Sequence, residues 1–211
     1  INQMAQMDGF LHVVRQFESP MVAHQEGSVD PIRDIESMDT EFILNDLVMV
    51  ERKLERLTEE HRRGVSRPRE EIQKEIDTFK ALQALLNENL PLRHYKFSPE
   101  EEEFLASYGF LSRKPQIIVF NQSEGQEAPV YQSPHPLTYV IALPAKLEMD
   151  IAELEPEDAQ IFMEEYGITE LAMSRLIKLS YDLLGVHSFF TAGEKEVHAW
   201  TVKRGANARE A

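Results

Sequence analysis

Two short constellations in this chain carry polar chemistry at a defined spacing. The first is Asn121-Gln122-Ser123-Glu124, an amide and a carboxylate three positions apart, directly after the apolar run Gln116–Phe120. The second is Pro144-Ala145-Lys146-Leu147-Glu148, directly after the apolar run Thr138–Leu143. An amide, an ammonium, carboxylates and loop N–H groups make a hydrogen-bonding site, not a nucleophilic one. Asn-x-x-Glu has two fixed letters and recurs by chance about once in a few hundred residues at average usage. Its weight comes from its place. The bland alternative is that Asn121 caps a turn and Glu124 is a solvated loop acid.

A third constellation is cationic. His61, Arg62, Arg63, Arg67 and Arg69 fall within nine positions, in a chain of 22 basic and 37 acidic residues with a formal net charge of −15. Such a local inversion of sign fits contact with RNA phosphates, which is salt-dependent. It fits equally a solvated turn whose arginines offset helix C-terminal dipoles and neighbouring glutamates. The acidic remainder disfavours non-specific binding to nucleic acid or anionic lipid.

Other chemistries are excluded by what the chain lacks. It has no cysteine, so disulfides, thiolate metal sites and cysteine nucleophiles are out. Its histidines form no metal-ligand spacing, and no Gly-x-Ser-x-Gly occurs. No apolar run approaches the ~18–20 residues of a membrane span. No Gly-x-x-x-x-Gly-Lys-Ser/Thr phosphate loop is present. No residue is therefore assigned a catalytic or metal-binding role.

The elements that must position these groups follow from periodicity. Phe10–Arg15 is a short apolar strand, and residues 18–34 read as a loop. Asp39 or Thr40 is the expected cap of a long helix with Ile43, Leu47, Val50, Leu54 and Leu57 at spacings of 4, 3, 4, 3. Gly64 stops it, and Pro68 is expected in the first turn of the next helix, which carries Ile72, Ile76, Phe79, Leu82 and Leu86 and ends at Pro91. Matching seams across a short connection predict an antiparallel helical hairpin. Ser98-Pro99 starts another helix, expected to run to Gly109. The two apolar strands and their following loops come next, then helices over 156–166 and 169–184 stopped by Gly167 and Gly185. Strands over 186–191 and 196–202 close the pattern, with Trp200 expected in a core and His187 and His198 as structural or surface groups. The methionines read as core fillers. Strand, helical insertion, strand, strand and paired helices make an α/β sheet, whose ligands bind at the carboxyl ends of the strands.

The two loops after the central strands resemble the base-recognition half of a P-loop GTPase-type domain. The chain as a whole resembles the YchF family, the Obg-like ATPases of the P-loop GTPase superfamily. The likeness is carried by the run Val29–Glu36, by Thr40–Leu47, by Asn121–Glu124 and by the ordered string Phe190–Thr201. It implies a partial nucleotide-binding (G) domain over 1–37 and 110–186, an inserted coiled-coil arm over 38–109, and the start of a β-grasp-like TGS domain over 187–211. It implies a base site of Asn121, Gln122, Glu124, Ala145 and Lys146, with ATP or GTP as substrate. Glu124 and Gln122 stand where guanine-specific members have Asp and Lys, so the guanine clamp is not reproduced and ATP preference or relaxed specificity is expected. Pro144 replaces the usual Ser. Mg2+ is expected with the complete protein, its ligands outside this chain. The chain reads as a part truncated before the phosphate loop and within the TGS domain, inactive alone. Ribosome or RNA contact through Arg62, Arg63, Arg67 and Arg69 and a cytoplasmic, non-membrane home complete the expectation. The alternatives are a nucleotide-independent RNA-binding module and a structural protein that self-associates through the hairpin.

Overall fold

The computed structural model describes residues 3–64, 67–194 and 196–207. Lys195 and residues 208–211, placed by sequence in the closing strand pair and TGS start, lie outside the described residues. The chain is α/β and divides into two compact units, one of residues 1–8, 30–114 and 134–137 and one of residues 9–29, 115–133 and 138–211.

The first unit is helical. Helix α1 spans Pro31–Arg63 and helix α2 Arg69–Asn87. The start of α1 corrects the expectation of a loop to residue 34 and a cap at Asp39 or Thr40. Asp30 is the cap, its Oδ1 accepting the Arg33 N–H at 3.1 Å, and Pro31 occupies the first turn. The buried Ile35, one heptad before Phe42, shows why the helix starts early. Thr40 instead donates its hydroxyl to the Glu36 carbonyl at 2.8 Å within the helix. Gly64 ends α1 at φ +69°, a left-handed conformation that costs glycine little.

Pro68 is the cap of α2 and not its first residue. The helix stops at Asn87, short of Pro91, with Asn89 at φ +57° reversing the chain. The seam is as the spacing predicts. Ile43, Val50 and Leu57 of α1 meet Ile72, Ile76, Phe79, Leu82 and Leu86 of α2, all buried, and Leu47 and Leu54 pack against them half-buried. Leu92, Phe97, Leu105 and Phe110 complete this core. Helix α3, Pro99–Leu105, has a full capping box between Ser98 and Glu101. It ends before Gly109, which serves close packing and not a stop: a Cβ there would lie 2.8 Å from the Ala5 Cβ.

The second unit holds the sheet. Strands β1 (Phe10–Arg15), β2 (Gln116–Asn121) and β3 (Thr138–Leu143) are parallel in the order β1-β2-β3, with Arg15 opposite Asn121 and Asn121 opposite Leu143. Residues 116–120 are all buried, as a central parallel strand requires. Helices α4 (Ala145–Ala152), α5 (Pro156–Glu165) and α6 (Ala172–Leu184) follow. Leu176, Leu179 and Leu183 of α6 pack on Ile117, Val119 and Ile141. Gly185 turns the chain into an antiparallel pair, β4 (Val186–Ala192) and β5 (Val197–Lys203).

Trp200 departs from its expected core position. It is 46% exposed, its indole N–H donating to Thr191 Oγ1 at 3.0 Å and its ring 4.3 Å from that of His198. Phe190 and Val197 of the same two-stranded ribbon are exposed as well. Several methionines are likewise surface groups, Met21 and Met173 among them.

Candidate functional site

The carboxyl ends of β1, β2 and β3 place three chain segments side by side. Gln16 N–H donates to the Asn121 carbonyl at 2.8 Å, and Gln122 N–H to the Leu143 carbonyl at 3.1 Å. The residues one step beyond β1 and β2 are thus held in strand register.

Asn121 reaches across to the next strand end. Its side-chain Oδ1 accepts the Ala145 N–H at 3.2 Å. The reason is local. Residues 145–148, expected as a loop, are the first turn of α4, and its cap Pro144 supplies no side-chain acceptor. Asn121 takes the role from a neighbouring strand and ties the two sequence-derived constellations together. Lys146, expected to lie along the loop, is exposed and pairs with Asp150 one turn on. Glu148 is also used, its Oε2 accepting the Ala172 N–H at 2.8 Å at the start of α6.

Glu124 is exposed on a turn that Gly125 closes at φ +71°. Its negative charge raises the pKa of the Tyr166 hydroxyl on the chain just after α5. The turn is anchored by glutamines. Ser123 N–H donates to Gln126 Oε1 at 2.9 Å, and Gln126 Nε2 donates to the Gln16 carbonyl at 2.8 Å. Gln16 Nε2 donates to the Glu127 carbonyl at 3.1 Å. Two side-chain oxygens here, Gln16 Oε1 and Gln122 Oε1, are shielded from solvent and accept nothing. Sequence reasoning passed over Gln16. The one available signal is its position, directly after β1, matching Gln122 after β2.

The site thus offers amide oxygens, N–H groups and a carboxylate at the ligand-binding end of a parallel sheet. It can hold the polar edge of a planar ligand. It contains no nucleophile–base pair.

The cationic cluster is less open than its sequence suggests. Arg62 and Arg63 both pair with Glu59, at 2.8 and 2.6 Å. The Arg62 hydrogen bond and the Arg63 charge hold the Glu59 carboxyl below its ordinary range. Arg67 bridges Glu60 of α1 and Glu75 of α2, and Lys53 also faces Glu75 at 3.4 Å. Arg69 opens α2 without an ion pair among the described residues.

Two buried charges escaped the sequence reading. Asp46 of α1 accepts the Leu111 and Ser112 N–H groups at 2.8 and 2.7 Å. Arg93 is fully buried and paired with Asp39, and donates to the Ser112 carbonyl. Beside it the His94 and His135 Nδ1 atoms lie 3.1 Å apart. Burial first, then the Arg93 charge, pushes the His135 imidazole down to about 4. Both groups fasten the base of the helical hairpin.

No protein-family model matches the chain. Individual proteins do. The ribosome-binding ATPase YchF of Bacillus subtilis is 35% identical over 220 residues, which cover 100% of this chain and 59% of that protein. Obg-like ATPase 1 of Pongo abelii is 31% identical over 224 residues, covering 100% and 56%. The solved structure of the Schizosaccharomyces pombe YchF GTPase superposes with a TM-score of 0.81 at 27% identity, over 98% of this chain and 58% of that one. The chain therefore spans somewhat more than half the length of the relatives it matches.

Proposed function

The chain belongs to the YchF family of Obg-like ATPases, and from that premise we propose that it carries the base-reading side of an ATP or GTP site in a ribosome-associated nucleoside triphosphatase. One observation carries the proposal: Asn121 Oδ1 holds the Ala145 N–H across two strand ends, joining the Asn121–Glu124 loop to the first turn of α4. Gln122 and Glu124 stand on the same loop. On this reading the phosphate-binding part is supplied by other segments, and the 211 residues alone do not hydrolyse the nucleotide. Mg2+ accompanies the triphosphate in such enzymes. Among the described residues no three His, Asp or Glu side chains are grouped to hold a metal ion, so none is assigned to it. Strands β4 and β5 are the start of the TGS domain, supported by the string Phe190–Thr201. Among the described residues no helix is long and apolar enough to cross a membrane, and ribosome association fits a cytoplasmic home.

The test is Asn121→Ala in the full-length protein. It removes the acceptor for the Ala145 N–H and the amide beside the base. ATP affinity is expected to fall about tenfold by titration calorimetry, the worth of a hydrogen bond or two. An unchanged affinity in a variant with unchanged circular dichroism would refute the assignment.

Ribosome contact is proposed for the tip of the α1–α2 arm, with Arg69 and the glutamate-paired Arg62, Arg63 and Arg67. Such pairs must open before the arginines can neutralise phosphates, which lowers the gain from each of them. Changing all four to Ala is expected to weaken ribosome pelleting and flatten its salt dependence, by about 0.7–0.9 in log–log slope for each phosphate no longer neutralised. The seam residues are untouched, so helicity stays. Binding and slope both unchanged would leave the tip as a solvated turn.

A further inference from the structure

Helix α5, Pro156–Glu165, buries none of its residues, although Ile161, Phe162 and Met163 stand together in its second half. A helix lying on a domain normally turns its apolar side chains inward. Phe162 and Met163 are half-buried, and the Phe162 ring stacks on that of Tyr166 one turn on, with centroids 4.6 Å apart and planes 14° from parallel. Ile161 is different: it is 64% exposed. Leu154, in the bend before the helix, is exposed as well.

The charges around Ile161 are all of one sign. On a helix surface the neighbours of a residue stand three and four positions away. For Ile161 these are Glu157, Asp158, Glu164 and Glu165, every one exposed and none in an ion pair among the described residues. No Lys, Arg or His stands between Lys146 and Arg175. Glu157 and Asp158 lie in the first turn of α5, where the helix dipole favours acids. Glu164 and Glu165 lie in the last turn, where it favours cations and α5 has none. The stability of the helix does not call for this second pair. A cation brought to that end relieves both the repulsion among the carboxylates and their conflict with the dipole.

We propose that the exposed face of α5, with Ile161 at its centre and Glu157, Asp158, Glu164 and Glu165 around it, docks a basic amphipathic segment of a partner protein. An apolar side chain ringed by carboxylates is complementary to an apolar side chain flanked by lysine or arginine. Nucleic acid and anionic lipid bring phosphates, which the same carboxylates repel. The apolar contact holds the partner, and the carboxylates steer its approach and reject acidic competitors. The surface uses no residue of the base loop or of the arm tip, so it stands whether or not those assignments do.

The experiment uses the full-length protein and two fluorescein-labelled peptides of equal charge, an amphipathic one of leucine and lysine and one of serine and lysine, followed by anisotropy. Ile161→Ser is expected to weaken the leucine–lysine peptide about five- to tenfold, the worth of burying the exposed part of one isoleucine, and to leave the serine–lysine peptide unmoved. Changing Glu157, Glu164 and Glu165 to Gln and Asp158 to Asn should weaken both peptides and flatten their salt dependence. Changing Glu18, Glu26, Glu51 and Glu55 to Gln removes the same charge from exposed positions elsewhere and should weaken them far less. Circular dichroism should be unchanged throughout, since every altered side chain is on the surface. Equal losses in the two four-acid variants would overturn the proposal, because net charge alone would then explain the binding. So would leucine–lysine binding that Ile161→Ser leaves unmoved. Self-association that Ile161→Ser abolishes in sedimentation velocity would also overturn it, by giving the face to a second copy.

Discussion

Replacing Asp46 by alanine is expected to lower the unfolding free energy by about 2–6 kcal/mol, because two buried N–H groups lose their acceptor at about 1–3 kcal/mol each. Asp46 is wholly buried on α1. Its Oδ1 takes the Leu111 N–H and the Asn45 amide, and its Oδ2 takes the Ser112 N–H. No water can replace them without opening the helical core. Asp46→Asn keeps one carbonyl oxygen and turns an NH2 toward the other N–H, so it should recover about half of the loss. Urea unfolding of both variants measures this, and a loss below about 1 kcal/mol for the alanine variant would show that the clasp is incidental. The pH dependence has a definite sign. Burial pushes the Asp46 carboxyl above its ordinary 3.8, and hydrogen bonds from Ser112, Leu111 and Asn45 pull it back only in part. The folded state then binds this proton more tightly than the unfolded state. Its contribution is present at low pH and is lost as pH rises through the folded value. The gap between native chain and alanine variant should therefore widen on acidification. Glu75 has the opposite sign. Burial raises it, but the Arg67 hydrogen bond and the Lys53 charge outweigh burial and hold it below 4.5, so its contribution fades as pH falls through the folded value.

Why some of this was legible in the sequence and some was not is a matter of where each signal lives. Strand β2 announces itself because residues buried on both faces leave an unbroken apolar run, and β3 because Tyr139–Leu143 is apolar throughout although only Ile141 and Leu143 are buried. The α2 seam is legible because every position in it is fixed by one local period. The start of α1 misleads because Asp39-Thr40 has the side chains of a cap, while the working cap Asp30-Pro31 sits in a polar stretch. Asp39 is spoken for by Arg93, 54 residues away. Helix α4 reads as a loop for a related reason: its first N–H is capped by Asn121, 24 residues earlier, and no local pattern records that. Asn121 itself is legible, since a polar residue ending an apolar parallel strand already faces the ligand end. Gln16 is not, because a glutamine after a strand is ordinary until its burial is known. Asp46 and Arg93 are not singled out for the same reason, their partners coming from distant segments. The tip arginines are visible as a cluster with glutamates beside them, but only the folded hairpin shows Arg67 bridging Glu60 of α1 and Glu75 of α2.

Phe79→Ala is expected to cost about 3–5 kcal/mol, the range for deleting a buried ring whose cavity cannot collapse. Phe79 is 0% exposed and stands where α1, α2 and the chain after α3 meet. Its ring centroid lies 5.2 Å from that of Tyr108, 6.1 Å from Phe104 and 6.4 Å from Phe110, two of the three pairs being edge-on. Edge-to-face packing adds to the area term, and alanine supplies none of it. The Lys53 ammonium stands 5.9 Å from the Phe79 centroid and 5.7 Å from that of Tyr108. Burial works against that ammonium, but the Tyr108 hydroxyl and the Glu75 carboxylate raise its pKa on balance, so Lys53 stays charged and tied to this cluster. Collapse of the hole is therefore resisted from two sides, by rings packed on one another and by an ammonium held by its own partners. Phe79→Leu fills most of the space and should cost about 1–2 kcal/mol. The hairpin should remain helical in both variants, since Ile72, Ile76, Leu82 and Leu86 keep their seam positions. Thermal unfolding followed by far-ultraviolet circular dichroism checks both clauses: a lower midpoint with unchanged native ellipticity is expected. Equal midpoints for the alanine and leucine variants would mean that refilling the space recovers nothing, and the cavity account of the loss would fail.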